Sequence, residues 1–247
     1  MKFILSIIAV LLLSAYAHAE VKTEAVEYKH GNVLLEGYLA YDDSMKGKRP
    51  GVLVVHEWYG LNDYAKRRAD QLARLGYVAF AIDMYGKGIR AKNRDEAAKL
   101  AGTYRSDRRL MRARAQAGLD TLMRYELTDT KKTAAIGYCF GGGTVLELAR
   151  SGADLAGTVS FHGNLDTPNT KDAGNIKGRV LVLHGGDDPF IPAPQISAFQ
   201  EEMRNAGVDW QIVVYGGAVH SFTNSEAGND PSRGSAYNEK ADAHGRR

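Results

Sequence analysis

The 247-residue chain contains a single cysteine, Cys139. One thiol closes no intramolecular disulfide, which excludes a disulfide-stapled fold, and it gives no C-x-x-C pair for thiol redox work. Metal-ligand spacing is lacking as well, because His56, His162, His184 and His220 fall on separate segments. Neither a metal nor a cofactor is expected. A strong charge bias is missing too. Without Lys2, 31 basic residues face 29 acidic ones, a formal charge of +2. That balance argues against nucleic acid as a partner. No repeat, low-complexity tract or Pro/Gly/Ser linker divides residues 20–247. Their length suits one α/β domain with a core able to stand without staples.

One apolar run stands out, and it lies at the start. Lys2 is a short positive region, Phe3 to Leu13 is nearly all apolar, and Ala17-His18-Ala19 has the small-x-small form of a cleavage site. Residues 1–19 read as a secretory signal peptide, since the run is too short to span a bilayer comfortably. An uncleaved anchor is the alternative. No cysteine follows for lipid attachment. The expectation is a secreted or periplasmic protein with no stable membrane anchor after cleavage.

Two segments, Ala25–Lys29 and Val33–Ala40, flank His30-Gly31-Asn32 and predict an antiparallel hairpin. Strands and helices then alternate. "GVLVVHEW" (51–58) and "YVAFAIDMYG" (77–86) are continuous apolar runs, as expected of strands covered on both faces. Between them, residues 62–76 place Ala65, Ala69, Leu72 and Ala73 on one helical face, with Asn62 or Asp63 as N-cap and Gly76 as stop. A long basic helical region, about 94–125, precedes strand 133–139, helix 141–151, strands 155–163 and 179–186, helix 192–206 and strand 209–217. This alternation predicts a doubly wound, mostly parallel sheet. In such sheets chemistry lies beyond the carboxyl ends of the strands. Those ends carry His56-Glu57-Trp58, Asp83, Cys139, His162, Asp187-Asp188 and His220, nearly the full set of reactive side chains.

Gly137-Tyr138-Cys139-Phe140-Gly141 matches the G-x-S-x-G nucleophile elbow with cysteine in the serine's place. A sharp strand-to-helix turn needs small neighbours. The helix amino-terminus behind it offers a dipole end and backbone N–H groups to an anion. A buried structural cysteine would fit the five residues alone equally well. Downstream context favours the nucleophile. Asp188, in "LHGGDDPFIP" (183–192), lies 49 residues on, and His220, in "GGAVHSF" (216–222), a further 32. Nucleophile, acid and histidine follow in the order used by hydrolases of this type. Cys139 would attack an acyl carbon, His220 act as base then acid, and Asp188 hold the imidazole tautomer. Asp187 competes with Asp188 for the acid. His162 and His184 read as strand-end residues with satisfied hydrogen bonds. Glu57 alone reads as a carboxylate capping the next helix.

Together, His56-Glu57-Trp58 with "GLND", "AIDMYG", "GYCFGG", "GGDDPFIP" and "HSFTN" resemble the dienelactone hydrolase family. The likeness runs from about residue 24 to about 240. It implies an α/β-hydrolase fold and cleavage of small-molecule carboxylic esters or lactones. Cys139, Asp188 and His220 would form the triad, and Glu57 would contact the resting nucleophile. Backbone N–H groups of Trp58 and Phe140 would form the oxyanion hole. The type member's arginine shortly after the histidine, which helps hold a substrate carboxylate, is replaced by Asn224; Arg90, Lys92 or Arg94 offers a different cationic contact. The family's closing amphipathic helix is absent or truncated in "NEKADAHGRR". Two rival readings use the same residues: a peptidase or thioesterase with this triad, and a catalytically silent binding protein on the hydrolase scaffold.

Overall fold

The computed structural model describes residues 21–245, so the signal-peptide reading of residues 1–19 lies outside the described residues. Eight strands form one sheet in the order β1-β2-β4-β3-β5-β6-β7-β8. They are β1 (Val21–His30), β2 (Val33–Asp42), β3 (Arg49–Val55), β4 (Val78–Ile82), β5 (Thr128–Tyr138), β6 (Gly157–Phe161), β7 (Arg179–Gly185) and β8 (Trp210–Tyr215). β1 and β2 pair antiparallel across the two-residue turn Gly31-Asn32, with Gly31 at φ +58°. β2 joins β4 antiparallel, and every other pairing is parallel. The hairpin is therefore an antiparallel edge on a doubly wound parallel sheet.

Six helices connect and cover the strands: α1 (Asp63–Arg74), α2 (Arg94–Ser106), α3 (Arg108–Arg124), α4 (Phe140–Arg150), α5 (Ala193–Asn205) and α6 (Glu239–Gly245). Asn62 caps α1 by accepting from the Ala65 N–H, and Ala65, Ala69 and Ala73 pack fully buried against the sheet. α3 and α4 pack against one face with Leu119, Leu122, Val145 and Leu148. α1 covers the other with Ala241 of α6 and Phe222. Arg150 of α4 is fully enclosed, held by both Glu202 oxygens at 2.7 Å and by Glu147 at 3.0 Å. Breaking such a pair would strand a buried charge, so α4 is fixed relative to α5.

Two boundaries differ from the sequence reading in an informative way. The basic segment 94–125 is two helices, because Asp107 leaves helical geometry and its carboxylate caps α3 through the Leu110 N–H at 2.9 Å. β5 begins at Thr128, since Thr128 and Asp129 pair with Arg49 and Pro50 beyond a register shift that skips residues 130–132. Of the two expectations for the closing helix, the truncated one describes α6, which is short and buries Ala241 and Asp242; Asp242 pairs with buried Arg68 of α1 at 2.8 Å.

Candidate active site

Cys139 stands between β5 and α4 at φ +53°, ψ −113°, a backbone conformation that costs a non-glycine residue of order 1–3 kcal/mol. The glycines around it make that turn possible. A Cβ on Gly137 would lie 2.0 Å from the Gly141 carbonyl oxygen, and one on Gly141 would lie 2.2 Å from that of Val55. Phe140 opens α4, so its N–H has no partner within the helix. Among the described residues the Trp58 N–H enters no hydrogen bond either. Tyr85 fixes the Trp58 segment by donating its hydroxyl to the Trp58 carbonyl at 2.9 Å. His56 lies stacked beside Phe140 and bonds the Glu57 carbonyl and the Met84 N–H. The backbone donors assigned to an oxyanion thus sit on two braced segments.

The loops after β7 and β8 bring Asp188 and His220 to the same place. His220 Nδ1 lies 2.8 Å from Asp188 Oδ2, and Asp188 Oδ1 accepts from the Phe190 N–H at 2.9 Å. Asp187 is exposed. With Nδ1 occupied, the His220 ring turns Nε2 toward Cys139. Burial pulls the His220 imidazole down, but the Cys139 thiol and the Asp188 carboxylate overcome it and hold it at about 10. His162 and His184 are buried, and burial pushes both imidazoles below the usual value. Asp83 is spent on structure, accepting from the Tyr85 and Gly86 N–H groups at 2.8 and 3.0 Å.

Glu57 and Asn224 differ from their expected parts. Glu57 does not cap α1, whose cap is Asn62, and its hydrogen bond is not to the thiol. Its Oε2 accepts from Asn224 Nδ2 at 2.7 Å. Asn224 Oδ1 in turn accepts the Glu226 N–H at 3.0 Å, so both ends of the amide are engaged within the protein. Burial raises the Glu57 carboxyl; the Asn224 donor, the His220 charge and the Ser221 hydroxyl pull it back without cancelling that rise.

A cavity of about 290 Å³ opens on Cys139 and His220, walled by Trp58, Phe190 and Ile191 and flanked by Arg94 and Arg105. Beside it an outer depression is lined by Glu57, Arg90, Arg94, Asn224 and Arg233. Arg90 is tied to the Leu61 carbonyl, and the Arg94 guanidinium lies 6.0 Å from the centre of the Trp58 ring. Arg105 escaped the sequence reading. It lies eleven residues after Arg94, three turns along α2, so both face the cavity, and it donates to Asn164 at 3.1 Å. Among the described residues neither Arg94 nor Arg105 has a carboxylate partner within ion-pair distance. A larger depression at the amino ends of the strands is lined by no cysteine, serine or histidine, and its Lys177 and Arg179 are paired with Asp154 and Asp209. No three His, Cys, Asp or Glu side chains among the described residues are grouped to hold a metal. No helix among them is long and apolar enough to cross a membrane.

A mostly parallel sheet with an antiparallel edge, carrying a strained elbow cysteine opposite a His-Asp pair, defines an α/β-hydrolase. The sequence pattern of the dienelactone hydrolase family matches residues 35–247, and the chain belongs to that family. It is similar to a protein of Aquifex aeolicus provisionally named a carboxymethylenebutenolidase, 31% identical over 218 residues that cover 85% of this chain and 92% of the relative. Two solved structures are nearer in sequence, each 43% identical and covering 91% of this chain and 93% of its own. One is called m3DLH, with a TM-score of 0.88. The other is a dienelactone hydrolase-like promiscuous phosphotriesterase, P91, from metagenomic libraries, with a TM-score of 0.87. The chain is thus an ester- or lactone-cleaving hydrolase by family.

Proposed function

We propose that this hydrolase cleaves small carboxylic esters or lactones that carry an anionic group, through a thioester on Cys139. The observation that carries the reading is the approach of His220, backed by Asp188 at 2.8 Å, to the elbow cysteine in a cavity flanked by Arg94 and Arg105. The Cys139 sulfur, its proton passed to His220 Nε2, adds to the acyl carbon, and the carbonyl π electrons move to oxygen, where the Trp58 and Phe140 N–H groups receive the charge. Collapse expels the alkoxide, which takes the Nε2 proton of His220. From a lactone that alkoxide stays tethered to the acyl chain. Water then gives its proton to His220 and adds to the thioester, and sulfur departs as thiolate. Among the described residues Arg94 and Arg105 have no carboxylate to neutralise them, and they would hold the anionic group; Arg90 lies farther out.

The signal-peptide pattern of residues 1–19 supports work in the periplasm or outside the cell. The enzyme is to be assayed against paired esters and lactones, each with and without a carboxylate, with a phosphotriester as an added arm prompted by the P91 relative. Cys139→Ala should abolish turnover of the carboxylic substrates. Equal turnover by the variant and the wild type would sink the thioester reading, and no turnover by either would favour a silent scaffold.

A further inference from the structure

Behind the reacting pair lies a second buried histidine, His162, at φ +41°. The Cys139 N–H is shared between the Phe161 carbonyl at 3.0 Å and His162 Nδ1 at 3.2 Å. Nδ1 is therefore an acceptor, which leaves the proton on Nε2, 2.8 Å from Thr223 Oγ1. The Thr223 hydroxyl lies 2.7 Å from the Tyr64 hydroxyl, and Arg68 Nη2 donates to the Thr223 carbonyl at 2.6 Å and to Asp242 of α6 at 2.8 Å. The His162 ring also packs edge-on against His220 at 5.1 Å and Phe222 at 5.2 Å.

We infer that His162 is a positioning residue, a wedge that ties the backbone of the nucleophile to the loop of the base and holds Cys139 and His220 in register. Thr223 locks the wedge in one tautomer. Burial keeps His162 uncharged, and the titratable groups that face it, His220, Arg68 and His184, act in the same direction. A neutral ring is required there, because a cation would oppose the charge on His220 that the thiol sustains. The inference rests on Cys139 and His220 being the reacting pair.

Thr223→Val removes the lock, and His162→Leu removes the wedge's polar contacts. Thr223→Ser keeps the hydroxyl, and His162→Asn keeps an acceptor and tolerates positive φ. Each variant is checked for a folded melting transition. Two quantities are then read: steady-state kinetics on a short acyl ester, and iodoacetamide alkylation of Cys139 against pH. Thr223→Val and His162→Leu should lower kcat about tenfold or more while KM stays within about twofold, as for a misplaced reacting pair. Their alkylation profiles should shift, and Thr223→Ser and His162→Asn should recover most of both losses. Wild-type kcat and an unshifted profile in folded Thr223→Val overturn the inference, as does failure of the conservative pair to recover. An ester-inactive wild type with a shifted profile in Thr223→Val would leave the wedge standing and remove the proposed function.

Discussion

Asn224 donates to Glu57 at 2.7 Å across 167 residues of sequence, and both side chains line the outer depression beside the Cys139 cavity. A neutral amide stands where the family's type member has an arginine. An amide satisfies one carboxylate oxygen without opposing its charge, so burial dominates and the Glu57 carboxyl stays above its ordinary value.

The sign of that shift makes Glu57 a stability liability. An acid whose folded value is raised is more protonated in the native state, so stability is lost as pH rises from the unfolded value of about 4.5 through the folded one. Glu57→Gln keeps an acceptor for Asn224 and carries no charge. At pH 8 it should gain about 1 kcal/mol, or about 2–4 °C in Tm, and the gain should shrink toward pH 5. Calorimetry at both values decides; a lower Tm at pH 8 contradicts the assignment.

His220 has the opposite sign. Its value of about 10 lies above the ordinary 6.5, so its contribution to stability is complete below 6.5 and is lost as pH rises through about 10. Against burial, the largest support for that rise is the thiol. In Cys139→Ala the His220 imidazole should therefore titrate well below its wild-type position, by NMR of labelled histidine. An unchanged titration would mean that Asp188 alone holds the proton.

The two neighbouring aspartates separate cleanly. Asp188→Asn disrupts the tautomer of His220 and should cost about 10³- to 10⁴-fold in kcat, as in other triads. Asp187→Asn, at an exposed position, should leave kcat unchanged. Stopped-flow acylation of the two variants gives the comparison, and similar losses in both would reassign the acid.

Arg105 predicts selectivity between substrates. If it holds an anionic group, Arg105→Gln should raise KM for a carboxylate-bearing ester about tenfold, worth about 1.4 kcal/mol, and leave its uncharged counterpart untouched. The difference should narrow at high salt. Equal effects on both esters would instead make Arg105 a wall residue.

Two glycines test the packing. Gly141→Ala would drive a Cβ to 2.2 Å from a main-chain oxygen and should cost about 3 kcal/mol, about 6–12 °C in Tm. Gly102→Ala, inside α2 with nothing within 4 Å of the added carbon, should instead raise Tm by about 2–4 °C through better helix propensity. Thermal melts of both variants suffice.

Residues at strand ends were legible because each declares itself locally. The elbow needs its glycines, Asn62 is a cap, and order along the chain sorts Asp188 from His220. The break at Asp107 was hidden because an aspartate within a charged helical run carries no glycine or proline to mark it. The second histidine was legible only in part: satisfied hydrogen bonds were expected of His162, but that one partner is the Cys139 N–H depends on how β5 and β6 lie together. The Glu57–Asn224 bond had no local sign at all. Arg105 did carry one, since eleven residues from Arg94 is a whole number of turns, but a charged helix ordinarily turns such residues to solvent.

Cys139, His162 and Ser221 are the non-glycine residues with positive φ among those described, and all three stand at this one end of the sheet. Arg94 and Arg105 come from a different source, a helix moored to the core through Ala97, Ala101 and Tyr104. The proposed reacting groups are thus set by the sheet, while the arginines proposed to meet the substrate ride on the outer face of a helix laid against it. Exchanging the outer residues of α2 should retune what the enzyme accepts without disturbing how it reacts, which makes that helix the natural place for related chains to diverge.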